Sequence, residues 1–240
     1  VTASPSVYQG KLALVTGSRR GLGRMMAEHI LRGGGRVAGF ARGEATIDHP
    51  DYLHLRVDVG DPESVQAAFA ELKKVTDSVQ ITVNNAAVLT SQYSMVMAPA
   101  AAQAMLNTNL LGAFLVSRES SKLMRRGKWG RIVNIGSMAA SLEPIGDSMY
   151  AATKSGLATM TNVMAKELAP LNITCNTLAV TAIETDMLAQ LPQDKVAQVV
   201  AGLPLPRFAE PDDVFNVLDF LVSERSSYVT AQTIHLGGVN

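Results

Sequence analysis

Three side chains able to share one proton-transfer task lie near the middle of the chain: Ser137, Tyr150 and Lys154. A tyrosine and a lysine four apart on a helix fall on one face, one turn from each other. The run Arg131-Ile132-Val133-Asn134-Ile135-Gly136, which leads into Ser137, reads as a buried strand. A strand-end hydroxyl, a phenol and an ammonium can therefore converge on one small region. A phenol, with an unperturbed pKa of ~10, serves as a general acid near neutrality only if that value falls. A neighbouring ammonium favours the phenolate and is expected to supply the fall. Ser137 can hold the oxygen of a carbonyl or alcohol, where charge develops. Taken alone, the spacing is better read as a helix with an incidental tyrosine and lysine, so the rest of the chain decides.

The elements that would carry a ligand to those groups begin with an apolar strand, Lys11 to Val15, followed by Thr16-Gly17-Ser18-Arg19-Arg20-Gly21-Leu22-Gly23. A helical pattern then runs to Leu31, with Met26, Ile30 and Leu31 on one side. Glycines between a strand and a helix let the backbone approach a pyrophosphate, whose charge the helix N-terminus favours. The spacing Gly-x-x-x-Gly-x-Gly departs from the six-residue dinucleotide fingerprint, and it lacks the Gly-Lys-Ser/Thr ending of a P-loop. The second strand, Arg36 to Phe40, ends in Ala41-Arg42. An NAD enzyme places an acid near that point to bind the ribose diol. Here stand a neutral alanine and Arg42, with Arg20 in the glycine turn, and two guanidinium groups suit a 2′-phosphate. NADP is expected over NAD, the bland alternative being two solvated arginines. A third strand, Leu53 to Val59, places Asp58 where it either accepts from an adenine amino group or caps a turn. Strand four, Ile81 to Val83, runs into Asn84-Asn85-Ala86-Ala87, which either closes a turn or binds beside the crevice.

Further on, a helical region from about Pro99 to Arg126 contains Asn109 among apolar neighbours. That amide needs a partner, either nearby backbone or a water held for proton relay. Arg125, Arg126, Lys128 and Arg131 form a basic cluster read as solvated surface. The Tyr150 helix runs to about Ala169 and stops at Pro170; Ile173 to Leu178 is strand six. Residues 180–209 are loop-rich and expected to cover the site, Glu210-Pro211-Asp212 opens a helix to about Val222, and Gln232 to Leu236 is the last strand. Alternating strands and helices predict one α/β domain over 1–240. Its core is a doubly wound, Rossmann-type parallel sheet of about seven strands with helices on both faces, preceded by a polar arm at 1–10. The chain has 240 residues, 47% of them apolar, and 21 basic against 21 acidic residues, so no net field draws it to nucleic acid or lipid. The single cysteine, Cys175, reads as a small core residue in a reducing compartment. Without a signal-peptide pattern at Val1 to Ser6 or an apolar run of membrane length, a soluble cytoplasmic enzyme is expected.

With these pieces in order, the chain resembles the short-chain dehydrogenase/reductase family from Lys11 to Gly238. The motifs are TGSRRGLG (16–23), Asp58-Val59, NNAA (84–87), NTNLLG (107–112), Ser137 in NIGS, YAATK (150–154) and IETDM (183–187). The resemblance implies a tetrad of Asn109, Ser137, Tyr150 and Lys154. In it the tyrosine transfers the proton, the serine orients the carbonyl, the lysine depresses the tyrosine pKa and binds the nicotinamide ribose, and the asparagine holds a relay water. It also implies cofactor contacts from Gly17, Ser18, Arg19, Arg20, Gly21, Leu22, Gly23, Arg42, Asp58, Val59, Asn85, Ala86, Ala87, Tyr150, Lys154, Ile183 and Thr185, and no metal. The subgroup it looks most like is the 3-oxoacyl thioester reductases. Three departures stand out: Ala87 for the usual glycine, Val180-Thr181 for the Pro-Gly after strand six, and Leu171-Asn172 where carrier-protein-using relatives often have a basic residue. The expected activity is NADPH-dependent reduction of a ketone, including a thioester-linked one, by a homotetramer. The alternatives are oxidation of a secondary alcohol or sugar, and NADP binding without turnover.

Overall fold

The computed structural model describes residues 6–185, 188–191 and 193–239. Seven strands form one sheet: β1 (Leu12–Thr16), β2 (Arg36–Ala41), β3 (Tyr52–Arg56), β4 (Ile81–Asn84), β5 (Gly130–Ser137), β6 (Ile173–Val180) and β7 (Thr233–His235). Their order is β3-β2-β1-β4-β5-β6-β7, and each pairing is parallel. Parallel neighbours need long crossovers, which the helices supply. These are α1 (Gly21–Arg32), α2 (Pro62–Val75), α3 (Pro99–Met105), α4 (Gly112–Gly127), α5 (Ala139–Leu142), α6 (Ser148–Leu168), α7 (Gln193–Ala201) and α8 (Pro211–Val222). The chain works outward from β1 to β3, then crosses back to β4 on the other side of β1. That reversal opens a crevice at the carboxyl ends of β1 and β4.

The two-residue period of a strand divides the core. Ala13 and Val15 of β1 meet Met26 and Ile30 of α1 and Leu218 and Leu221 of α8 on one face. Leu12 and Leu14 point to the other, where α2 brings Val65, Phe69 and Leu72, α4 brings Val116 and Leu123, and α6 brings Met164 and Leu168. Each such fully buried side chain contributes about 1.5–3 kcal/mol. Local signals set the helix starts. Asp61 accepts from the Glu63 amide at 3.1 Å with Pro62 in the first turn, an arrangement worth about 1 kcal/mol. Glu210 and Asp213 form a capping box on α8, and Arg207 clasps Asp213 with two bonds of 2.7 and 2.9 Å.

Several sequence expectations change. The helical region expected over 99–126 is helical throughout but includes a π-helical stretch, Leu106–Leu111, between α3 and α4. β3 stops at Arg56, so Val57, Asp58 and Val59 lie beyond it. The polar arm is anchored: Tyr8 is 1% exposed, donates to Asp219 at 2.6 Å and meets the edge of His29. Arg131 is not solvated surface. It is fully buried, with its guanidinium 4.3 Å from the Trp129 ring centre and donating to the backbone oxygens of Gly130 and Ser223. Burial lowers its pKa from the ordinary arginine value.

Candidate functional site

A cavity of about 490 Å³ follows the carboxyl ends of the strands at the order reversal, a size suited to a small molecule. At its glycine end, β1 turns into α1 through Gly17, which has φ +69°. A Cβ there would lie 2.8 Å from the Asn85 side-chain nitrogen Nδ2 and 3.1 Å from the Ala86 Cα, so only glycine lets the turn sit against the β4 loop. Gly17, Arg19, Arg20, Gly21 and Leu22 line the cavity. Arg20 is the N-cap of α1 and no side chain caps it, so this helix start faces the cavity with its leading amides. Gly23 does not line it; a Cβ there would collide with the Gly17 carbonyl, so this glycine serves close helix packing. Ser18 does not line it either. Its side chain is fully buried, with its oxygen 2.9 Å from the Tyr52 hydroxyl, in space that Gly39 leaves for want of a side chain.

Arg42 stands on the cavity wall with Ala41, and Arg19, Arg20 and Arg42 are all exposed. Asp58 and Val59 line the next part; the exposed Asp58 also accepts from the Gly60 amide at 2.9 Å, so it closes the turn as well. Asn85, Ala86 and Ala87 form the floor. Thr16 organises them: its hydroxyl oxygen accepts from the Asn85 and Ala86 amides at 2.9 Å each, while the Asn85 side chain donates to the Thr16 carbonyl at 3.0 Å. Asn84 turns into the core and donates to Ser117 and Asn134 at 2.8 and 2.7 Å.

Ser137, Tyr150 and Lys154 come together at the other end, at 9%, 8% and 4% exposure. Ser137 closes β5, whereas Tyr150 and Lys154 sit in the first turns of α6. The Lys154 ammonium donates to the Ile135 carbonyl at 2.7 Å and lies 5.7 Å from the centre of the Tyr150 ring. Burial lowers the Lys154 pKa to about 8. The Tyr150 phenol moves opposite to expectation: burial raises its pKa, the hydrogen bond with Ser137 pulls it down, and the Asp147 carboxylate raises it further. Desolvation of the phenolate outweighs the help from the Ser137 hydroxyl.

Asn109 lies in the π-helical stretch, 1% exposed, and does not reach the cavity. Its side chain accepts from the Val88 amide at 2.8 Å and donates to the Val88 carbonyl at 2.9 Å and to Thr153 at 3.2 Å. Of the two roles open to it in sequence, the backbone partner is the one its side chain takes. Ile183 and Thr185 line the cavity, as do Leu188 and Leu191 from the expected covering segment; Met187 of the IETDM motif lies outside the described residues. Sequence reasoning missed Asp147, which lines the cavity three residues before Tyr150. That helical spacing was the available signal. Val88, Leu89, Met138 and Pro144, also missed, make the surrounding wall apolar.

The model of the family described as enoyl-(acyl carrier protein) reductase matches residues 17–240. The chain is similar to the 3-oxoacyl-(acyl-carrier-protein) reductase FabG of Aquifex aeolicus, 37% identical over 240 residues, covering 96% of this chain and 97% of that one. The Escherichia coli protein of the same name is 34% identical over 237 residues, with the same coverage. Among solved structures, the ligand-free aldohexose dehydrogenase of Thermoplasma acidophilum superposes with a TM-score of 0.89 at 26% identity, covering 98% of this chain and 96% of that one.

Proposed function

Because this chain belongs to the short-chain dehydrogenase/reductase family, we propose that it is an NADPH-dependent ketoreductase acting on 3-oxoacyl thioesters. The observation that carries the reading is one cavity with a glycine turn and the exposed Arg19, Arg20 and Arg42 at one end and Ser137, Tyr150 and Lys154 at the other.

The residues present fit NADP. Gly17 leaves a cradle that a Cβ would fill, and the leading amides of α1 suit a pyrophosphate. Arg20 and Arg42 suit a 2′-phosphate, and the neutral Ala41 offers no acid for a ribose diol. Asp58 and Val59 would border the adenine; Asn85, Ala86, Ala87, Ile183 and Thr185 would border the remainder, with Tyr150 and Lys154 beside the nicotinamide ribose. When bound, NADPH supplies the hydride. Ser137 holds the substrate oxygen, and Tyr150 gives its proton to that oxygen as charge builds on it, so that a ketone becomes a secondary alcohol. A phenol held protonated by burial is in the state that reduction requires. Oxidation would call for the phenolate, and binding without turnover would need neither group. Lys154 positions the ribose from its anchor on Ile135, and Asn109 fixes the Val88 backbone at the cavity edge. The serine–phenol pair addresses an oxygen, which suits a carbonyl better than a carbon–carbon double bond. Absorbance measurement of NADPH oxidation over ketones, 3-oxoacyl thioesters, quinones and sugars tests this; thioester turnover is expected, and failure to reduce any carbonyl would overturn it.

A homotetramer accompanies this reading. Leu111 and Phe114 on one helical segment and Val163 on α6 are apolar and 37–49% exposed, more than a monomer needs at its surface. Light scattering at micromolar concentration should give four chains; a monomer would count against it. Among the described residues no helix is long and apolar enough to cross a membrane. Cys175, buried with its thiol pushed up to about 12, is inert, and a lone free thiol supports a cytoplasmic setting.

A further inference from the structure

We propose that Asp147 recognises the substrate, accepting a hydrogen bond from an N–H or O–H donor that the substrate carries near its reacting carbonyl. The inference rests on the ketoreductase reading and specifies what its substrate must bear. Asp147 is 8% exposed and lines the cavity three residues before Tyr150. It occupies the N-cap position of α6, yet its side chain makes no cap hydrogen bond. Its Oδ1 is buried without a hydrogen-bond partner. Of the residues that line the cavity with it, Val88, Leu89, Met138, Ala139 and Pro144 carry no side-chain donor.

A buried carboxylate oxygen without a donor is costly, more so than a neutral group. The surrounding structure holds it in place. Gly146, at φ +97°, turns the chain into α6, and its carbonyl accepts from the Gln92 amide at 2.8 Å. Ser94 donates to the Ser148 hydroxyl at 3.0 Å, so the loop before α3 straps the start of α6. Asp147 and Tyr150 line the same cavity, and the carboxylate acts electrostatically on the phenol. A ligand donor would remove the unpaired state when the site fills. A ligand offering only acceptors there would meet repulsion.

Two sources share this chemistry: the amide N–H two methylenes beyond the sulfur of a cysteamine-type thioester, and the hydroxyl of a hydroxyketone. Matched pairs separate them. The first pair is the N-acetylcysteamine and S-propyl thioesters of 3-oxobutanoic acid; the second is 1-hydroxybutan-2-one and butan-2-one. Wild-type kcat/KM should favour the donor-bearing member of one pair about tenfold or more, and the pair that responds names the source. Asp147→Ala should bring that ratio close to one. Asp147→Asn, which keeps an acceptor oxygen and the shape, should retain part of it. Using the ratio within a pair cancels any change in Tyr150 common to both members. Calorimetric titration of the NADPH-loaded proteins with the matching alcohol products reads the same discrimination without turnover. Ratios that are equal in wild type and both variants, by kinetics or by titration, would overturn the proposal. Absence of turnover with all four carbonyls would instead strike the ketoreductase reading, and the titration would still decide the role of Asp147.

Discussion

At the glycine end of the cavity the groups facing inward are backbone amides and exposed guanidinium groups; at the Tyr150 end they are side chains less than a tenth exposed. The first end is shaped by close backbone approach, with Gly17 against Asn85 and Ala86, and its charges remain in water. Exposed charges are screened and each contributes modestly. The second end holds a phenol, an ammonium and a carboxylate together under low solvation, where burial moves the Tyr150 pKa up and the Lys154 pKa down. Cofactor choice should therefore be easy to retune, and the proton-transfer end should be intolerant of single-atom changes.

The largest effect tests the buried end. Tyr150→Phe removes the proton donor and keeps the ring, and turnover should fall about 100- to 10,000-fold with NADPH affinity little changed. A variant within a few-fold of wild type would break the contrast.

Lys154 tests burial through stability. Its folded pKa of about 8 lies below the ordinary lysine value of 10.5. Between these values the unfolded chain holds a proton that the folded one has released. This lysine's penalty on folding is therefore full below about pH 8 and fades as pH rises toward 10.5. The penalty is on the order of 3 kcal/mol at most. Thermal melts from pH 7 to 10 should show wild type gaining stability relative to Lys154→Met as pH rises. Parallel curves would mean that the ammonium is not desolvated as its burial implies.

The exposed end should respond less. Ala41→Asp with Arg42→Ala should move preference from NADPH toward NADH by roughly tenfold to a hundredfold, and added salt should weaken the wild-type preference. Better use of NADH by the wild-type protein would show that the arginines do not set the choice.

The smallest effect concerns the wall between the two ends. β6 continues to Val180, which pairs with Ser137 and accepts from the Met138 amide at 2.9 Å. Neither Val180 nor Thr181 has positive φ, as a β-branched pair requires. Thr181 is buried against the cavity, its methyl 2.8 Å from where a Cβ on Gly237 would lie. Val180→Pro with Thr181→Gly should fold, bind NADPH and change the ketone-to-thioester ratio a few-fold. An unchanged ratio would remove this pair from specificity.

Much of the site was legible because its signals are local. Ser137 ends an apolar run, and Tyr150 and Lys154 share a helix face at a spacing that needs no knowledge of the rest of the fold. Asp61-Pro62 and Glu210-Pro211 announce their helices through caps made within a few residues. The glycine turn is recognisable from the strand before it and the helix after it. Arg20 and Arg42 on the cavity wall follow from the same chain order.

What the chain order could not supply is environment. Arg131 reads as one more surface cation, yet the sheet and the Trp129 ring enclose it. Ser18 stands in the glycine turn, yet the absence of a side chain at Gly39 leaves room for its hydroxyl beside Tyr52. The π-helical stretch around Asn109 places that amide on Val88, a partner 21 residues earlier. The sequence by itself determined the alternation of strands and helices, the caps and the shared helix face of Tyr150 and Lys154, because periodicity and spacing are properties of neighbours along the chain. The rise of the Tyr150 pKa and the unpaired oxygen of Asp147 were decided by the tertiary structure alone, because desolvation depends on every segment that packs around a group.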